Sequence, residues 1–185
     1  MFRSMRSSPS VNSCCVRASI AVPRTHPTHR EESFSVNYWL VKSEPDEFSI
    51  DALQRVGVEP WSCVRNYQAR NFMRQMKLGD GVLFYHSSCA QPGVVGVAKI
   101  AVAAFADPTQ FDPRSDYHDP KSSQEEPRWF AVDVAFARKL KRTIALDELR
   151  RHADALGDFA LLRRGNRLSV LPVTAAQWKT ILALE

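Results

Sequence analysis

The sequence predicts an α+β fold, a mainly antiparallel sheet or partly closed barrel of five or six strands flanked by short helices. Three observations carry this expectation. Apolar or alternating runs at residues 37–43, 81–87, 94–106, 129–140 and 167–173 are bounded by Gly, Pro and polar residues, as strands are. The helical patterns between them are short, and few connections reach the length of a βαβ crossover. At 185 residues the chain suffices for one domain with a real core plus an extension.

Each element has its own signal. The aromatic run "NYWLVKS" (37–43) reads as a strand closed by Glu44-Pro45. Ser49 is placed as an N-cap, with Phe48 and Leu53 as a hydrophobic staple over a short helix reaching about Arg55. Gly57 and Pro60 punctuate the chain before Trp61. Ala69, Phe72, Met73 and Met76 recur at helical spacing and share a buried face, with Asn66 as N-cap and Gly79 as the stop. That leaves Arg70, Arg74 and Lys77 together on a face away from the core. "GVLFYHS" (81–87) is the next strand, and Gln91-Pro92-Gly93 turns the chain into "VVGVAKIAVAAFA" (94–106), where Gly96 marks a bulge or a close backbone approach. Residues 107–128 form a polar loop with four prolines, long enough to suggest a functional or mobile segment. The alternating strand "WFAVDVAFARKL" (129–140), a short helix at 146–152 and the strand "RLSVLPV" (167–173) follow. Thr174 with Gln177 forms a capping box and Val173 with Trp178 the matching staple, so a last helix runs to about Leu184.

The formal charge of +5 belongs to the tail. Residues 1–30 hold Arg3, Arg6, Arg17, Arg24 and Arg30 and no acid, while the remainder, with 20 basic and 20 acidic residues, is neutral. Nucleic-acid binding by the domain therefore has to rest on local patches, not bulk charge. Rich in Ser, Arg and Pro and without apolar periodicity, residues 1–36 are expected to be a disordered basic extension: a flexible arm, an over-long start or an organelle targeting segment. No run of about 18 apolar residues offers a membrane span. With no CxxC and with Cys63 and Cys89 standing alone, the domain reads as reduced and intracellular, with no metal centre and no cofactor. The expected location is cytoplasmic, or the nucleoid, nucleus or mitochondrion according to source, and the expected state is a monomer.

The densest chemistry lies in "WSCVRNYQARN" (61–71). A planar base is held by stacking on aromatic rings while amides and backbone groups read its edge, and stacking contributes roughly 1–3 kcal/mol per base. Trp61, Asn66, Tyr67 and Gln68 supply those groups at a helix N-terminus. The bland alternative makes Trp61 and Tyr67 core residues and the arginines a solvated face. Tyr85, His86 and Ser87 end a strand, where side chains can enter a cleft. His86 with Cys89 lacks an assured nucleophile–base geometry, and the Asp and His residues of "DPRSDYHDP" (112–120) sit on a proline-broken loop that favours a solvated lid over a metal site. The basic clusters "ARKLKR" (137–142) and "LLRRGNR" (161–167), the latter with Arg163 and Arg167, could follow a phosphate backbone or be ordinary solvated faces. Neither a Gly-rich phosphate loop nor a nucleophile elbow occurs.

"NYWLVKSEP", "VRNYQARNFMRQMKLGDGVLFYHSSC", "PGVVGVAKI", "DPTQFDP", "DPKSSQEEPRWF" and "RLSVLPV" together resemble the EVE domain family, in order and without large gaps across residues 37–185. The resemblance implies a PUA-like pseudobarrel with flanking helices, related to YTH domains, and a reader of modified bases in nucleic acid, modified cytosine in DNA especially, that is not an enzyme. "LVKS" resembles the YTH "IKS" strand end and "PWS" its "VWS". By that likeness Trp61 walls a base pocket and the Ser62 backbone contacts the base. Lys42, Ser43 and Glu44 then face them, and Arg65, Asn66 and Tyr67 continue the rim. Tyr85, His86 and Ser87 complete the expected pocket. Arg65 or Arg70 is expected to hold the adjacent phosphate, with Arg74, Lys77, Arg163 and Arg167 as further backbone contacts. The family commonly has Gly where this chain has Cys63, a departure that would narrow the pocket or shift its rim if that position needs positive φ. Two other classes compete: a hydrolase on nucleosides or RNA, as in the related ASCH group, with Glu44, Lys42 and Tyr85 as acid/base groups, and a protein-interaction domain with an incidental cleft.

Overall fold

The computed structural model describes residues 36–185. The expectations for the N-terminal extension therefore lie, except at Val36, outside the described residues. The chain runs β1 (Tyr38–Ser43), α1 (Ile50–Val56), β2 (Val58–Trp61), α2 (Tyr67–Met73), β3 (Gly81–His86), β4 (Gly93–Ala106), a 3-10 turn (Pro108–Gln110), β5 (Phe130–Ala145), α3 (Leu146–Arg151), α4 (Ala153–Leu156), a second 3-10 turn (Ala160–Leu162), β6 (Val170–Val173) and α5 (Ala175–Leu182). The six strands form one sheet in the order β2–β5–β4–β3–β1–β6. Every neighbouring pair is antiparallel except β1 and β3, which run parallel from Tyr38 opposite Gly81 to Ser43 opposite His86. Parallel neighbours need a crossover. Here it is residues 44–80, which carry α1, β2 and α2.

Side-chain parity explains why the central strands read as unbroken apolar runs. Trp39, Val41, Val82 and Phe84 point into one core with Ile50 and Leu53 of α1 and Ala69 and Met73 of α2. Leu40, Leu83 and Tyr85 point the other way, into a second core with Leu149 of α3, Leu156 of α4 and Ile181 of α5. Strands covered on both faces have no solvent side to alternate with.

Local signals set most of the helices. Ser49 Oγ accepts the Ala52 N–H and caps α1. Thr174 and Gln177 make both halves of the capping box on α5. Gly96 is the close approach that its position suggested: a Cβ there would meet Ile50 Cδ1 at 2.5 Å, and the β3–β4 and β4–β5 registers shift beside it. Buried Asp80 accepts the Trp39 indole N–H at 2.9 Å and the Asn37 and Lys77 backbone N–H groups, tying β1 to the turn before β3.

Four boundaries differ from expectation. β2 is a strand although only turn signals were evident there. It sits at the sheet edge, where Pro60 opposite Asp133 is tolerated, and its partner β5 is far away in sequence. β5 continues to Ala145, through the basic cluster, because β4 pairs with it as far as Gly93 opposite Ala145. α2 stops at Met73, where the Gln75 and Met76 N–H groups bond back three residues. Lys77 is therefore not on a helical face with Arg70 and Arg74. β6 begins at Val170, not at Arg167.

Candidate functional site

β1 and β3 end side by side, and the open cleft of about 850 Å³ lies at those ends. In sheets with parallel neighbours, ligands commonly collect outside the carboxyl ends of the strands. Lys42, Ser43 and Glu44 line the cleft from β1, Trp61 to Asn66 from the end of β2 onward, and Ser87 and Ser88 from β3. Its floor is aromatic. Half-buried Trp61 stands edge-on to Phe84 at 5.6 Å, and Phe48 leans on the same ring at 6.5 Å. The indole is thus braced from behind while still lining the cleft.

The segment after Trp61 is pinned by one carboxylate. Asp107, with no side-chain exposure, accepts the Cys63 N–H at 2.9 Å, the Arg65 guanidinium at 2.8 Å and both the N–H and the hydroxyl of Thr109. Burial alone would raise its pKa. The hydrogen bonds from Arg65, Thr109 and Cys63 outweigh that and hold it below the usual carboxylate value. Arg65 also donates to the Tyr117 carbonyl and lies 5.4 Å from the Tyr117 ring, drawing the 107–128 loop to the cleft rim. That loop is itself anchored, because Asp119 accepts the Trp129 indole N–H at 2.7 Å and Gln110 bonds the Trp129 backbone twice.

Cys63 has φ 64°, and Ser88 has φ 52°. These are the two non-glycine residues in the left-handed region among the described residues, and both line the cleft. Such conformations are costly for side-chain-bearing residues and gather where the surrounding structure enforces them. Position 63 thus has the backbone geometry that glycine adopts easily.

The expected site residues separate into two groups. Lys42, Ser43, Glu44, Trp61, Ser62, Arg65, Asn66, Ser87 and Arg167 all line the cleft. Asn66 also caps α2, its Oδ1 accepting the Gln68 and Ala69 N–H groups, so that oxygen is already engaged. The others lie elsewhere. Tyr67 packs tilted against Trp129 at 4.9 Å with Arg70 over both rings, and Arg74 lies over Phe130, so these arginines lie against aromatic neighbours. Lys77 is exposed beyond the helix end. Tyr85 is buried in the second core, and burial pushes its hydroxyl up to about 12. His86 accepts the Ile50 N–H at Nε2, capping α1, and burial lowers its pKa. Arg163 pairs with Asp158 away from the cleft. Sequence reasoning missed the cleft positions of Phe48, Glu47, Glu59, Ser88, Tyr117 and Ser169, and the anchoring role of Asp107. Phe48 was visible only as a helix staple. Among the described residues no three His, Cys, Asp or Glu side chains converge as a metal site would require.

The EVE domain matches residues 37–184, nearly all of the described chain. The chain belongs to the EVE domain family. Thymocyte nuclear protein 1 of Rattus norvegicus is 45% identical over 167 residues, covering 80% of this chain and 74% of that protein. A solved structure from Pseudomonas putida is similar to this EVE domain at 53% identity and TM-score 0.76, covering 80% of this chain and 98% of that one. Human thymocyte nuclear protein 1, solved in complex with DNA containing 5-methylcytosine, is similar at 40% identity and TM-score 0.76, covering 80% and 96%. The expected α+β, PUA-like architecture of the EVE domain is thus the one observed. Among its described residues no helix is long and apolar enough to cross a membrane.

Proposed function

We propose that this EVE domain is a non-catalytic nucleic-acid-binding module that receives one modified base, modified cytosine in DNA above all, in the cleft beside Trp61. The observation that carries the reading is the braced indole: a half-buried ring fixed edge-on by Phe84 that still lines an open cleft. The similarity to human thymocyte nuclear protein 1, solved with 5-methylcytosine DNA, supports the choice of nucleic acid and mark.

The physical sequence is short. A base swung out of the strand stacks on Trp61, with the stacking terms above. Cytosine offers an amino donor, and a carboxylate is the acceptor that suits it. Glu44, Glu47 and Glu59 all line the cleft. A methyl mark contributes about 0.8 kcal/mol when it fills an apolar corner. That supports only several-fold preference, so exclusion of water from the unmodified base must add to it. Extruding a paired base costs a few kcal/mol, which makes single strands the tighter ligand. A hydrolase would need Glu44, Lys42 and Tyr85 to act together, but Tyr85 is buried and reaches only a neighbouring hollow that it shares with Lys42, while Glu44 lines the cleft.

Anisotropy titration of labelled oligonucleotides carrying plain or modified cytosine tests this. The wild-type chain is expected to prefer the modified strand several-fold, with the oligonucleotide recovered unchanged. Trp61→Ala is expected to weaken binding roughly tenfold or more, from the lost stacking. Equal affinity for plain and modified strands would end the base-reading proposal, and turnover lost in Glu44→Gln would favour the hydrolase.

A further inference from the structure

A second hollow, of about 530 Å³, adjoins the cleft. The two share Lys42, Ser87 and Ser88 as a common wall. Their charge differs. The cleft sets Glu44, Glu47 and Glu59 against Lys42, Arg65 and Arg167, whereas the hollow is lined by four cations, Lys42, Arg150, Arg163 and Arg164, and no carboxylate. Asp147 pairs with Arg150 at 2.8 Å and Asp158 with Arg163, but all four side chains are at least 60% exposed. Ion pairs in that setting hold weakly and exchange readily for a phosphate. Arg164 and Lys42 form no ion pair among the described residues. In a domain whose overall charge is near zero, this is a local concentration of positive charge beside a slot suited to a flat ring.

We propose that the hollow is an anion subsite that seats a phosphodiester of the strand whose base lies in the cleft. The strand then passes from Trp61 over Lys42 and Ser87 to Arg150 and Arg164. The direction of the strand rests on the base-reading proposal, while the anion subsite itself does not. Arg150 and Arg164 are exposed, so Arg150→Ala combined with Arg164→Ala removes charge without opening a core.

The test compares the full chain with this double variant. The probes are single-stranded oligodeoxynucleotides with a central 5-methylcytosine or cytosine, titrated by anisotropy across a salt series, and the free nucleoside 5-methyldeoxycytidine, titrated by calorimetry. Two lost phosphate contacts should lower the slope of log affinity against log salt by about 1.4 and weaken strand binding roughly tenfold. Nucleoside affinity should stay the same, since a nucleoside carries no phosphate. An unchanged slope and strand affinity in the double variant would overturn the subsite. If the slope falls while wild type shows no preference for the modified strand, the subsite stands and the base-reading proposal falls. The converse pattern retains the base cleft and removes the subsite.

Discussion

Asp107 ties the segment after Trp61 to the start of the 107–128 loop through Cys63, Arg65 and Thr109. Removing its carboxylate would strand the Arg65 guanidinium and leave the Cys63 N–H without its acceptor. Asp107→Ala is therefore expected to cost about 3 kcal/mol in urea unfolding, the range for breaking a buried charge pair. His86 makes a different prediction. Its neutral ring accepts the Ile50 N–H, and burial lowers its pKa below the usual 6.5. The unfolded ring thus binds a proton more readily than the folded one. The stabilisation is complete above pH 6.5 and is lost as pH falls through the lower folded value. Unfolding free energy should decline in wild type as pH falls below about 6.5, and the decline should shrink in His86→Gln. At this scale the sequence exposed residue types but not their direction. Tyr85, His86 and Ser87 looked equivalent at a strand end, yet pleating sends Tyr85 into the far core and His86 to the opposite face against Ile50 and Phe84, while Ser87, just past the end of β3, lines the cleft.

Elements with local signals were legible, and elements defined by distant partners were not. Ser49, Asn66 and the Thr174–Gln177 box announced three helix starts because a cap and its N–H groups lie within three residues of each other. β2 has no such mark: four residues, one of them proline, become a strand only through pairing with β5. The same pairing holds the backbone of Trp61 opposite Val132, so the element hardest to read presents the residue easiest to suspect. α2 offers a test of cap and cleft together. Asn66→Ala removes the acceptor for two N–H groups and is expected to lower stability by about 1 kcal/mol in chemical denaturation. Because Asn66 also lines the cleft, strand affinity should be compared in Asn66→Asp, which retains a cap acceptor.

For the molecule as a whole, the family resemblance carried more of the site than pattern did. Ser62, Arg65 and the end of β1 were named from motif likeness, Trp61 from residue chemistry and likeness alike, and the structure groups them in one cleft. Tyr117 and Asp107 were unreadable because they arrive from a loop more than 40 residues downstream, brought in by hydrogen bonds to Arg65 and Cys63. The single parallel pairing in the sheet has a further consequence. Since β1 and β3 point the same way, the stretch joining them must leave and re-enter the sheet, and residues 44–80 that do so also provide Phe48 and Trp61 to Asn66. Much of the cleft lining is thereby contributed by one contiguous stretch, itself held by the core, by β5 and by Asp107. A chimera bearing the corresponding stretch of a relative with another base preference should melt as a single cooperative unit and adopt the donor's selectivity in an oligonucleotide panel.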